Sequence, residues 1–339
     1  MRTMKILISS HAFAPSIGGI ETVSRLLAQE FAKLGEEVMV VTQTPDEGSE
    51  KFRFPVIHQP SLGQLWRAVK WCDLFWQNNL SLRTIWPAWL LHRPVIITHQ
   101  GSYCRRPAGI DLAYRLKLAV VEQTPSVAPS RAVADCFRTE STLIPNPYDA
   151  EEFCLPRQGA ERALDLVFVG RLVTEKGVDL MLEALGRAKG RALNPSLTII
   201  GDGPERAALQ QLTARLGLHE QVSFAGTKRG ADLADILHRH KVIVVPSRYA
   251  EPFGVAALEG IACGCLVIGS SGGGLPEAIG PCGLTFPNGD ADALTATLEN
   301  LLLQPNAYNR LRANAASHLA QFKAEAVAQR YLTLFRKFL

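Results

Sequence analysis

Two carboxylates, Glu251 and Glu259, bracket a helix start in the stretch PSRYAEPFGVAALEG, residues 246–260. The apolar run Lys241–Val245 ahead of it reads as a buried strand, Pro246 and Ser247 break the pattern, and helical spacing returns from about Phe253. The first turn, Phe253, Gly254 and Val255, offers backbone N–H groups without intrahelical partners at the positive end of the helix dipole. Such an end takes a phosphate. At ~1.5 Å per residue, Glu259 stands roughly 9 Å further along, beyond reach of that phosphate and placed for a vicinal diol. Glu251 would meet hydroxyls on the other side. Taken alone, the same stretch reads equally well as a loop acid in solvent and a second acid satisfied by local donors.

A second constellation lies in LVFVGRLVTEKGVDLML, residues 166–182. An apolar strand ends at Gly170, Arg171 and Lys176 follow within six residues, and an apolar-periodic helix begins after Gly177. Both cations therefore sit where a strand leaves a sheet, the edge at which open α/β sheets bind ligands. Arg presents a planar fork to phosphate oxygens and Lys a point charge, although on their own the two read more readily as solvated surface cations. Gly18 and Gly19 occupy a comparable place after the first strand, where a backbone without Cβ approaches a ligand closely or makes a plain tight turn. His99 closes the run Pro94–Thr98 and is expected to project into a crevice. The GDGPER segment, 201–206, holds only a GxG, too little for a dinucleotide fingerprint.

These groups need strand ends to hold them. Apolar runs near Lys5–Ser9, Glu37–Thr42, Leu74–Trp76, Val95–Thr98, Ser126–Ala128 and Ser141–Ile144 read as strands, with a helix over Glu21–Leu34. A second series, LVFVG, LTIIG, VSFAG, VIVVP and CLVIG, follows from about Leu164. Strands alternating with helices predict parallel sheets. A Pro- and charge-rich stretch, Asn146–Glu161, reads as a linker, and 339 residues with 47% hydrophobic content suffice for two cores. The expected division is 1–158, 159–320 and a closing helix, 321–339.

Five separated motifs then carry a resemblance: GRLVTEKGVDLML (170–182), IIGDGPERAALQ (199–210), EPFGVAALEG (251–260), GGGLPEAI (272–279) and GLTFPNGDADAL (283–294). In this order they resemble the family 4 glycosyltransferases, almost continuously over the C-terminal half. The N-terminal half matches at Gly18-Gly19-Ile20-Glu21, His99, PSRAVAD (129–135) and IPNPYD (144–149). The resemblance implies an α/β GT-B fold, two Rossmann-like parallel-sheet domains facing a central cleft with the closing helix, 321–339, packing back on the first, and a retaining transfer of a sugar from a nucleotide-diphosphate sugar to a hydroxyl of a glycan or lipid-linked acceptor. It assigns the donor to Gly18, Gly19, Arg171, Lys176, Phe253, Gly254, Val255 and Glu259, with Lys228 in the 226–229 loop beside the base, and the reacting centre to His99 and Glu251. Two departures stand out. His99 is followed by Gln100-Gly101-Ser102 rather than an acid, and Pro147 stands where the family shows Gly, stiffening the hinge.

Composition excludes other classes. A formal charge of +4 is too small to argue for nucleic acid. Seven cysteines without CxxC or His-paired spacing suit free thiols in a reducing, cytoplasmic setting. No signal peptide and no apolar run long enough to span a membrane is read. All five tryptophans fall between Trp66 and Trp89, with Arg67, Lys70, Arg83, Arg93, Arg105 and Arg106 interleaved or following. That mixture suits either a core or peripheral contact, through Trp66–Arg106, with the anionic inner face of a membrane. The only DxD, Asp290-Ala-Asp292, reads as a helix start, so no metal and no cofactor are expected. A dehydrogenase lacks its GxGxxG here; a sugar-nucleotide epimerase, a phosphorylase or a non-catalytic binder remain as rivals.

Overall fold

The computed structural model describes residues 2–16, 18–46, 48, 51–101, 112–156, 162–189 and 193–339, excepting the side chains of 112–116 and 305–307. The predicted Ser102, Cys104, Arg105 and Arg106 lie outside the described residues, as does part of the linker.

The chain divides into one unit of Met1–Tyr148 with Phe322–Leu339, and a second of Asp149–Gln321. The changeovers fall at Tyr148/Asp149 and Gln321/Phe322, against 158/159 and 320/321 from composition. The first is earlier because Asn146 and Tyr148 are buried; the Asn146 amide pairs with Gln100, and the Tyr148 N–H donates to the Phe322 carbonyl.

In the first unit, strands β1 (Lys5–Ser10), β2 (Glu37–Thr42), β3 (Val56–His58), β4 (Leu74–Asn78), β5 (Val95–Thr98), β6 (Ser126–Ala128) and β7 (Thr142–Leu143) form one sheet, β3-β2-β1-β4-β5-β6-β7. All its pairings are parallel. β3 has no counterpart among the predicted strands. Three half-buried residues between turns carry too little alternation to mark a strand. The returning helix, Ala324–Phe335, sets Tyr331 and Phe335 against Phe31 of the Gly19–Lys33 helix and Trp76 of β4. Their polar ends are satisfied at Thr98, which lies 2.8 Å from the Trp76 indole nitrogen and 3.0 Å from the Tyr331 hydroxyl.

In the second unit, β8 (Leu164–Val169), β9 (Leu197–Ile200), β10 (Val222–Gly226), β11 (His240–Val245), β12 (Leu266–Ser270) and β13 (Gly283–Phe286) form a six-stranded parallel sheet, β10-β9-β8-β11-β12-β13. β13 falls inside the 283–294 motif and is absent from the predicted strands. The core side of the sheet contains Leu166, Phe168, Val242, Val244, Leu266 and Ile268 under the Val178–Lys189 and Ala291–Leu302 helices. Asp290 caps the latter helix, accepting from the Ala293 N–H at 2.9 Å, while Asp292 pairs with Arg187 at 2.6 Å.

Strand order reverses between β1 and β4 in one sheet and between β8 and β11 in the other. At such points the connections leave in opposite directions and open a crevice at the strands' C-terminal ends. Cys72, Cys154, Cys263, Cys265 and Cys282 are free thiols, but Cys136 is disulfide-bonded, which corrects the expectation of thiols throughout.

Candidate functional site

β8 and β11, which flank the second reversal, deliver the residues singled out in the sequence. After β8, Arg171 is exposed and makes no side-chain hydrogen bond or ion pair among the described residues. Its backbone is held by the loop after β9, where Leu172 donates to Asp202 O and Glu205 donates to Leu172 O. Gly201 and Gly203 permit this contact, since a Cβ at either would strike the Gly170 or Leu172 carbonyl. The GxG of GDGPER therefore serves close packing of two strand exits.

Lys176 ends a short helical turn, Thr174–Lys176, that stops at Gly177 in the left-handed region, φ 67°. A Cβ at Gly177 would collide with the Pro246 carbonyl. The Arg248 N–H donates to the Glu175 carbonyl, tying the turn to the loop after β11. That packing brings Lys176 Nζ to 2.6 Å from Glu251 Oε1. Glu251 is 6% exposed. Its Oε1 also accepts from Ser247 Oγ at 2.5 Å and its Oε2 from the Tyr249 hydroxyl at 2.7 Å. The phenol stays protonated: burial pushes it up, and the Glu251 charge adds to the shift.

The loop itself is pinned from outside. Asn288 Nδ2 donates to the Ser247 and Tyr249 carbonyls, Ser270 Oγ to the Ser247 carbonyl, and the Gly274 N–H to the Glu251 carbonyl. Ser247, Tyr249 and Asn288 are not among the residues the sequence reading selects. The first two alternate with Glu251 in one loop, a usable signal, whereas Asn288 stands 37 positions beyond Glu251 and has none.

The helix expected to accept an anion is Val255–Ala262, beginning after Gly254 rather than at Phe253. Gly254 is the N-cap at φ 115°, and a Cβ there would come within 2.5 Å of Leu275 Cδ1. Phe253 is buried, and the first amides, at Val255 and Ala256, have no intrahelical acceptor. With this start, Glu259 lies about 6 Å along the axis from Val255, closer than the sequence reading placed it. It is partly exposed, and its carboxyl is pushed up to about 7 by burial and then by the charges of Glu152 and Asp149. Lys228 follows the edge strand β10, two strands from β8, so it shares the sheet edge but is about 10 Å from the cluster. It is exposed.

In the first unit, Gly18 is the N-cap of the Gly19–Lys33 helix, with extended backbone, and a Cβ there would come within 2.5 Å of a Glu21 carboxylate oxygen. Around Gly19 there is open space. His99 is fully buried rather than projecting outward, its ring stacked on Phe137 at 4.0 Å between centroids. Burial lowers its pKa to about 4, leaving a neutral imidazole at physiological pH. Beside it, Gln100 donates to Asn78 Oδ1 (3.1 Å) and Asn146 Oδ1 (2.9 Å), and Asn78 donates to Ser24 Oγ (2.6 Å), forming a polar chain at the β4 and β5 exits. Of the tryptophans, Trp76 is buried, while Trp66 (37%) and Trp89 (40%) reach solvent beside Leu62 and Leu90. Arg67, Lys70 and Arg83 on the same two helices, Leu62–Trp71 and Leu82–Leu90, are exposed.

Comparison with known proteins follows the same division. Residues 156–318 match the family model described as Glycosyl transferases group 1. A glycogen synthase of Mycobacterium tuberculosis is 34% identical over 208 residues, covering 58% of this chain and 49% of the relative. A D-inositol 3-phosphate glycosyltransferase of Stackebrandtia nassauensis is 32% identical over 228 residues, covering 60% and 50%. The chain thus spans about half the length of these relatives. Among solved structures, sucrose-phosphate synthase from Thermosynechococcus elongatus superposes at TM-score 0.79 with 22% identity over 99% of both chains. HepE of Anabaena, in complex with UDP and glucose, superposes at 0.82 with 19% identity over 98% of this chain and 100% of that one. At these identities the structural likeness is one of fold.

Proposed function

From a chain whose residues 156–318 belong to the glycosyl transferases group 1 family, on a GT-B fold of two parallel-sheet units, we propose a retaining glycosyltransferase. It moves a sugar from a UDP-, GDP- or ADP-linked donor to a hydroxyl of a glycan or lipid-linked acceptor and forms an α-glycosidic bond. The observation that carries this reading is the β8/β11 reversal, where Arg171, Lys176, Glu251 and the amides opening at Val255 gather at one sheet edge. Cations and helix amides there suit a diphosphate, and carboxylates on either side suit its two sugars. The UDP and glucose held by the Anabaena structure are ligands of this class.

In this mechanism the bond from the anomeric carbon to the departing phosphate oxygen breaks through an oxocarbenium-like state. The acceptor oxygen bonds on the same face, and its proton passes to the leaving phosphate oxygen. Arg171, Lys176 and the helix amides stabilise the charge that builds on the diphosphate without a metal ion, and preorganised stabilisation of this kind lowers such barriers more than any other single effect. Glu251 orients sugar hydroxyls rather than attacking: its oxygens already accept three hydrogen bonds, an arrangement that fixes orientation and weakens nucleophilicity. Glu259 holds the ribose diol and Lys228 lies toward the base; for Gly18, Gly19 and neutral His99, a part in binding the donor or at the reacting centre rests on the family resemblance alone.

The Trp66, Trp89, Leu62 and Leu90 surface with Arg67, Lys70 and Arg83 supports peripheral contact with an anionic membrane face and a cytoplasmic protein working there. No helix among the described residues is long and apolar enough to cross a membrane. Transfer of radiolabel from UDP-, GDP- and ADP-sugars in the presence of EDTA tests the activity. Transfer is expected in EDTA; activity lost and restored by Mn²⁺ would contradict the metal-free mechanism, and binding without transfer would favour a sugar-nucleotide binder.

A further inference from the structure

Lys176 and Glu251 have different tasks in the proposed reaction, one for phosphate and one for the sugar, yet they are bonded to each other at 2.6 Å. If the diphosphate draws the ammonium toward itself, Glu251 loses its charged partner while remaining buried. A buried carboxylate deprived of a donor reorients unless other donors hold it.

Tyr249 touches both partners. Its hydroxyl donates to Glu251 Oε2 at 2.7 Å and lies 3.3 Å from Lys176 Nζ, whose ammonium also sits 5.3 Å from the centre of the phenol ring. Ser247 secures the other carboxylate oxygen. Neither depends on Lys176 for its place, because Asn288 holds the carbonyls of both residues and Ser270 that of Ser247. Two neutral donors therefore stay on the carboxylate after the cation leaves.

Building on the donor site proposed above, we infer that Tyr249 is a positioning residue. It keeps Glu251 oriented toward the transferred sugar when Lys176 swings from the carboxylate to the donor diphosphate, so that phosphate binding and sugar recognition are coupled through one phenol. Its effect falls on the sugar end of the donor and acts only through Glu251.

The test is calorimetric binding of three pairs, UDP and UDP-glucose, GDP and GDP-glucose, ADP and ADP-glucose, to wild type, Tyr249→Phe, Glu251→Ala and the double variant. For the pair that wild type binds, Tyr249→Phe is expected to weaken the sugar nucleotide about tenfold, the range of one hydrogen bond to a charged group, with the bare nucleotide within about twofold. In the Glu251→Ala background the same replacement is expected to add no further loss. Equal weakening of nucleotide and sugar nucleotide, no weakening of either, or an undiminished tenfold loss without Glu251 would each overturn the inference and leave the donor site standing. Wild type binding none of the three pairs would overturn both. Thermal unfolding of each variant checks folding, and Tyr249→Leu, which likewise lacks the hydroxyl, serves if Phe does not fold.

Discussion

Lys176 and Glu251, 75 positions apart, meet because the β8 exit turn packs on the β11 exit loop through Gly177 and the Pro246 carbonyl. The pair is half-buried, and Ser247 and Tyr249 stay on the carboxylate when the lysine is removed. Lys176→Ala is therefore expected to destabilise the fold by only about 1 kcal/mol. Its kcat should fall on the order of 10²-fold if one phosphate contact is worth about 2.7 kcal/mol. Steady-state kinetics alongside thermal unfolding separates the two effects, and a wild-type kcat would remove Lys176 from the site.

Glu259 gives the site a pH dependence near neutrality. Its carboxyl is raised from the ordinary 4.5 to about 7, so the folded protein holds a proton that the unfolded chain releases. Stability from this group is present below about pH 4.5 and is lost as pH rises through 7. Without donor, Glu259→Gln should therefore gain stability over wild type above pH 7, on the order of 1 kcal/mol with solvent screening. If Glu259 holds the ribose diol as proposed, binding favours its ionised carboxylate, so the donor KM should rise as pH falls below 7 and flatten in Glu259→Gln. Thermal melts and KM profiles from pH 5.5 to 8.5 read both effects.

Gly254 places the first amides of its helix. Alanine there meets Leu275 and adopts a φ of 115°, unfavourable for a residue with Cβ. Gly254→Ala is expected to lose about 1–3 kcal/mol of stability and donor affinity with it. A variant melting at the wild-type temperature and binding donor normally would contradict this account of the N-cap.

The exposed Trp66 and Trp89 lie among basic side chains on two helices of the first unit. Flotation with vesicles containing anionic lipid should carry the wild-type protein, and neutral vesicles should not. The double variant Trp66→Ala, Trp89→Ala should float weakly. Absence of wild-type flotation would remove membrane contact from the proposal.

Much of this fold was legible because buried parallel strands are short apolar runs, many of them ended by Gly, Pro or Ser, and eleven of the thirteen strands among the described residues fall on runs the sequence marks. β3 and β13 did not, one being three residues long and the other opening on glycine. The positions of Arg171 and Glu251 after strand ends, and of Glu259 on the helix that follows, were legible from the apolar pattern. The ion pair of Lys176 with Glu251 was not, since it depends on β8 lying beside β11, a fact of sheet order that no local pattern encodes. The environment of His99 was hidden for a similar reason: Phe137, 38 positions away, supplies the ring it stacks on.

The central claim is that groups gathered at the β8/β11 reversal bind the diphosphate of a sugar nucleotide. Thermal-shift titration of wild type and Arg171→Ala against UDP-, GDP- and ADP-glucose tests it most directly, because Arg171 is exposed and its loss is expected to leave the unliganded fold unchanged. One sugar nucleotide should stabilise wild type by about 2.7 kcal/mol at a hundredfold excess over its Kd, and Arg171→Ala should lose most of that shift. A wild-type melting temperature indifferent to all three, or an equal shift in Arg171→Ala, would contradict it.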